Sequence, residues 1–96
     1  KYKEVFCGVV SKGSVSACEV YVRKIIEMAV LYNAKFAVLS HNHPSGLALP
    51  SNDDIKTTEK VYRALRLIDV VLIDHIIVAD DDYVSLKDSG FMDEMY

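Results

Sequence analysis

Two histidines, a serine and an aspartate lie within the fourteen residues 41–54, and their types and spacing suit a divalent metal. The segment reads His41-Asn42-His43-Pro44-Ser45-Gly46-Leu47-Ala48-Leu49-Pro50-Ser51-Asn52-Asp53-Asp54. Strand side chains alternate, so His41 and His43 at the end of a strand present their imidazoles to one face, and Asn42 points to the other. Pro44, Gly46 and Pro50 make the next stretch an irregular loop. Ser51 reopens regular structure, with Asp54 in its first turn. Two imidazoles on one wall and a carboxylate with a neighbouring hydroxyl on the other form a ligand set with an open coordination position. Zinc is the first choice, since catalytic zinc sites take three protein ligands from such groups plus water. A plainer reading of the same residues stands beside it. Ser51-x-x-Asp54 also fits a capping box that satisfies free amides at a helix start, and His41 and His43 also fit ordinary loop-edge histidines.

The elements that must position these groups follow from periodicity. The apolar run 36–40 ahead of the histidines reads as a buried strand, too continuously apolar for an exposed edge. After the loop, Ile55, Thr58, Val61, Tyr62 and Leu65 recur at helical spacing up to about Leu67. Asp53, Lys56, Glu59, Lys60 and Arg63 give that helix a solvated face. Upstream, residues 4–11 are rich in β-formers and end at Lys12-Gly13-Ser14. From about Cys18, the residues Val22, Ile25, Ile26 and Ala29 predict a helix of some four turns ending near Tyr32-Asn33. Residues 70–73 and 76–78 are strand-like and flank Asp74-His75. Asp80-Asp81-Asp82 is a turn and residues 83–86 return as a hairpin strand. The three aspartates lack the calcium-loop pattern, so a solvated turn is the expectation. The order β-α-β-α-β-β predicts an α/β layered domain with helices on a mixed central sheet.

Length and composition bound the rest. Ninety-six residues make one domain, 1–96, of which 51% are apolar and 26% charged, the balance of an ordinary globule. A formal net charge of −3 gives no basic footprint for nucleic acid, although Lys1, Lys3, Lys12, Arg23 and Lys24 offer a local patch. No apolar run reaches membrane-spanning length and no signal-peptide pattern is present, so a cytoplasmic location is expected. Cys7 and Cys18 are too few for a disulfide framework and read as free thiols. Phosphate loops and Gly-x-Ser-x-Gly are absent, which weakens nucleotide-binding and serine-hydrolase readings.

His-x-His, seven residues, Ser, two residues, Asp resembles the signature of the JAMM (Jab/MPN) metalloprotease-like domains. His-Asn-His-Pro-Ser-Gly followed by Pro-Ser-x-x-Asp resembles the RadC branch of that group. The similarity extends to Gly13-Ser14, Val20-Tyr21-Val22-Arg23, Asn33-Ala34, Asp74-His75-Ile76-Ile77-Val78 and Tyr83-x-Ser85, and so covers nearly the whole chain. This resemblance implies a cytidine-deaminase-like three-layer α/β/α sandwich with one Zn2+. It also implies that His41, His43 and Asp54 are the metal ligands and that Ser51 orients or stabilises at the metal.

The family also implies a glutamate general base on a strand well before the histidines. Glu4, followed by Val5-Phe6, is the candidate in this chain. By the family's spacing Glu4 falls on the second strand of an N-terminal hairpin, so the glutamate strand is expected upstream of Lys1. Glu19 reads better as a helix-start residue that meets the dipole. With a strand absent, residues 5–10 are expected to form an exposed edge through which two copies pair as a homodimer.

The activity implied is hydrolysis of an amide, peptide or isopeptide bond in a peptide or protein substrate. The rival is a non-catalytic module that binds DNA or a protein, in keeping with the family's old label of DNA repair protein. An iron oxygenase triad ranks well below both, because the loop signature belongs to the JAMM group. His75, alone in an apolar run, is expected to be a hydrogen-bonded core residue or a support behind the site and not a ligand.

Overall fold

The computed structural model describes residues 18–43 and 48–95, with the backbone alone for 18–21. In order these form α1 (Cys18–Leu31), β1 (Phe36–Asn42), α2 (Asn52–Arg66), β2 (Val71–Ala79), β3 (Asp82–Ser85) and a 3-10 turn, Asp93–Met95. β1 pairs with β2 in parallel and β2 with β3 antiparallel, giving a mixed sheet in the order β1-β2-β3. Parallel neighbours need a crossover, which α2 supplies. The α/β class is thus as the sequence predicts. The first predicted strand, residues 4–11, lies outside the described residues, and so do Glu4, Cys7 and the pairing edge expected at residues 5–10.

Both helices follow their apolar stripes. Ile25 and Ala29 of α1 are buried, with Val22 and Ile26 packed against the same core. α1 ends where Asn33 takes φ 51°, a left-handed conformation that Asn tolerates, and Ala34 N–H closes onto the Ala29 carbonyl at 2.9 Å. From α2, Val61, Tyr62 and Leu65 enter one cluster with Leu39, Leu72, Ile77, Leu86 and Met92. Met92 is fully buried, so the C-terminal segment packs onto the domain. No helix of the described residues is long and apolar enough to cross a membrane.

Two features depart from the sequence reading. β1 is not a buried strand: Phe36 is 48% exposed and Val38 59%. Its alternate residues Ala37, Leu39 and His41 face the core side, so among the described residues this unbroken apolar run has one covered face and one open one. The run reads as buried because strand periodicity alone does not reveal how many faces are covered. The second departure is that residues 71–79 form one strand with an irregularity. Ala37 pairs with Leu72 but Val38 with Asp74, so Ile73 is an extra residue. This bulge resets the alternation, and Leu72 and His75, three apart, both point into the core.

Asp74 holds the bulge and the hairpin's exit together. One carboxylate oxygen accepts from His75 N–H (2.7 Å) and Lys87 N–H (3.0 Å). The other accepts from the Ser85 hydroxyl (2.5 Å), which itself accepts from Asp88 N–H (3.0 Å). Bonds to a charged acceptor contribute about 1.5–3 kcal/mol when partly buried. Asp74→Ala is therefore expected to destabilise the fold by about 2 kcal/mol in urea titration, and Asp74→Asn by less. A midpoint unchanged in Asp74→Ala would show the network to be inert.

Candidate metal centre

The site is built where β1 ends and α2 begins. His41 pairs with Ile77, and the parallel ladder continues past Asn42 because His43 N–H donates to the Val78 carbonyl at 2.8 Å. Alternation along this extended backbone carries His41 and His43 to the core-side face that also bears Leu39, His75 and Ile77. Their rings meet edge-to-face with centroids 4.9 Å apart. Asn42, between them, is exposed on the other side.

Ser51 is the N-cap of α2, with extended backbone at φ −87°, ψ 169°. Its hydroxyl accepts from Asp54 N–H (3.1 Å), and the Asp54 carboxylate accepts from Ser51 N–H (2.7 Å). The capping box is therefore real, and it does not exclude the metal reading. A carboxylate has about four lone-pair sites, and the box uses one of them. Asp54 Oδ1 lies 3.3 Å from His41 Nδ1, and Oδ2 lies 3.0 Å from His43 Nε2. The cap thus aims the carboxylate at both imidazoles.

His41, His43 and Asp54 each offer one ligand atom, all within 4.8 Å of one another, so the group can hold a metal ion. Two ligands about 2 Å from a shared ion stand a little over 3 Å apart in tetrahedral geometry, close to the two His–Asp distances found here. The side chains of His43 and Asp54 are 16% and 10% exposed and that of His41 is 42% exposed, so one flank opens to solvent. Burial pushes the Asp54 carboxyl up. The Ser51 hydrogen bonds and the charges of His41 and His43 together outweigh it, so its pKa falls below the usual value and the carboxylate is held ionised.

His75 stands behind this cluster. It is 2% exposed and its ring stacks on His41 at 6.1 Å with a 22° interplanar angle. Nδ1 is 2.6 Å from the Thr58 hydroxyl. Burial, then the nearby charge of His41, lowers its pKa to about 4, so it is neutral at pH 7. It is a buried, hydrogen-bonded residue outside the ligand group, as expected. Thr58 was not singled out by its type, because it falls on the apolar stripe of α2. Its place one turn after Asp54 on the same face was the available signal. Glu4 lies outside the described residues, and Glu19 belongs to the first turn of α1 with only its backbone described.

Residues 2–91 match the family model described as a RadC-like JAB domain. A UPF0758 protein of Marinomonas sp. is 45% identical over 92 residues, covering 96% of this chain and 39% of that protein. One from Idiomarina loihiensis is 42% identical over 92 residues, with the same coverage of 96% and 39%. One from Methanosarcina acetivorans is 44% identical over 84 residues, covering 88% of this chain and 37% of the relative. The chain thus spans well under half the length of these relatives. Similarity across nearly all of its residues places it plainly: the chain belongs to the RadC family and carries that family's JAB domain.

Proposed function

We propose that this domain is the metal-binding core of a zinc-dependent hydrolase acting on amide bonds, peptide or isopeptide, in a peptide or protein substrate. The observation that carries the reading is the convergence of two imidazoles and an ionised carboxylate at a strand end, opened to solvent on the His41 side. The donor set fits catalytic zinc, with three nitrogen and oxygen ligands and a free position. When bound, zinc polarises a carbonyl and brings the pKa of a coordinated water to about 7.

The chain's own residues supply the rest. His41, His43 and Asp54 hold the ion, and the α2 cap fixes Asp54 before the ion arrives. Ser51 Oγ accepts from Asp54 N–H while its hydroxyl leans on the Asp54 carboxylate, and from there it would turn its hydrogen to the oxyanion of a substrate carbonyl. Proton transfer to the leaving amine falls to a glutamate, with Glu4 the candidate of this chain.

The test is turnover by the zinc-loaded protein on a library of peptides and lysine isopeptides, wild type beside Ser51→Ala. Cleavage that drops about a hundredfold in Ser51→Ala, at equal metal content, is the expected result. A zinc-loaded wild type that cleaves nothing in the library would favour a non-catalytic binding module.

A further inference from the structure

His75 poses a question that the ligand set does not answer. Its Nε2 has no hydrogen-bond partner among the described residues, a cost that a Phe or Leu in the same buried place would avoid. What keeps a histidine there is on its other nitrogen. The Thr58 hydroxyl lies 2.6 Å from the Asp54 carbonyl oxygen and 2.6 Å from His75 Nδ1. A hydroxyl has one hydrogen, and Thr58 donates it to the carbonyl. The bond to His75 therefore runs the other way, with Nδ1–H as donor and the Thr58 oxygen as acceptor. The ring is in the Nδ1–H tautomer, and Nε2 is left as a lone pair, which is less costly to bury unpaired than an N–H.

Thr58 sits one turn below the ligand Asp54, and His75 stacks on the ligand His41. We propose that His75 and Thr58 are positioning residues of the metal centre: the relay His75 Nδ1–H to Thr58 O–H to Asp54 carbonyl locks the first turn of α2 to β2, while the His75 ring backs the His41 imidazole. The helical wall that carries the carboxylate and the strand wall that carries the imidazoles are thereby tied at one buried point. Two discrete hydrogen bonds set their separation, where apolar packing alone would allow sliding. The proposal rests on the metal-centre reading above, and groups that orient ligands in this way are worth about tenfold to a hundredfold in metal affinity.

Two measurements test it. In the metal-free protein, long-range 1H–15N correlation of the imidazole rings is expected to show the His75 hydrogen on Nδ1. Zn2+ affinity, by competition with a chromophoric chelator, is expected to fall about tenfold in Thr58→Val and in His75→Phe at unchanged one-to-one stoichiometry, with Thr58→Ser restoring it. The Co2+ absorption spectrum should shift in the two weakened variants and return in Thr58→Ser. A His75 hydrogen on Nε2 overturns the proposal. So do folded variants that bind Zn2+ as tightly as wild type. Should either variant fail to fold, the wild-type ring spectrum and the Thr58→Ser comparison decide it. A wild type with no Zn2+ affinity overturns the metal-centre reading itself, whereas tight wild-type binding left unchanged in both variants overturns only the positioning role.

Discussion

Replacing His41 or His43 by alanine, or Asp54 by asparagine, is expected to lower Zn2+ affinity by more than the roughly hundredfold that loss of a merely supporting group costs. Each substitution removes one of the three donors that converge among the described residues, and two remaining ligands do not hold a catalytic-type ion against free chelator. Asparagine is the informative change at Asp54. Its side-chain carbonyl can still accept from Ser51 N–H, so the capping box survives in part and α2 keeps its start. What is lost is the charge and the second oxygen, which faces the imidazole opposite. Asp54→Ala would mix that loss with a capping penalty of about 1 kcal/mol. Competition titration with Zn2+, beside a thermal melt of the metal-free proteins, separates the two effects. Variants with wild-type affinity would show that the cluster is a capping arrangement and no more.

The convergence of His41, His43 and Asp54 was legible in the sequence because every signal for it is local. His41 and His43 share a face through alternation two residues apart, and Ser51 and Asp54 announce a helix start within three. The helix stripes of Ile25 and Ala29, and of Val61, Tyr62 and Leu65, were legible for the same reason. What escaped the reading depends on pairing between distant segments. The bulge at Ile73 arises from the register of β2 against β1, and without it Asp74 would have pointed inward with Leu72 and His75 outward. The exposure of Phe36 and Val38 depends on which elements cover each face of the sheet. Thr58 and His75, 17 residues apart, are neighbours only after α2 has packed on β2. Neither residue type nor spacing marks them as a pair.

The second large effect is acid sensitivity rooted in that buried histidine. His75 has a pKa near 6.5 when unfolded and about 4 in the fold, where burial disfavours the charged ring. As pH falls, the unfolded chain therefore takes up this proton first. The contribution of the neutral ring is fully present above about pH 6.5 and is lost progressively as pH falls toward 4. One pKa unit corresponds to about 1.4 kcal/mol, so the loss by pH 4 amounts to about 3 kcal/mol. The Asp54 carboxyl, held below the ordinary range of an aspartate, adds a loss of the same sign only at still lower pH. Urea unfolding with a chelator present, at steps from pH 7 to 4, reads the slope directly. His75→Phe removes this one titration while leaving His41, His43 and Asp54 in both proteins, so the difference between the two curves isolates His75. The variant starts lower at pH 7, having lost the bond to Thr58, but its stability should fall less steeply, and the curves should converge toward pH 4. Parallel curves across that range would mean that the ring titrates in the fold as it does in the unfolded chain, and the dry, tautomer-locked environment assigned to His75 would be wrong.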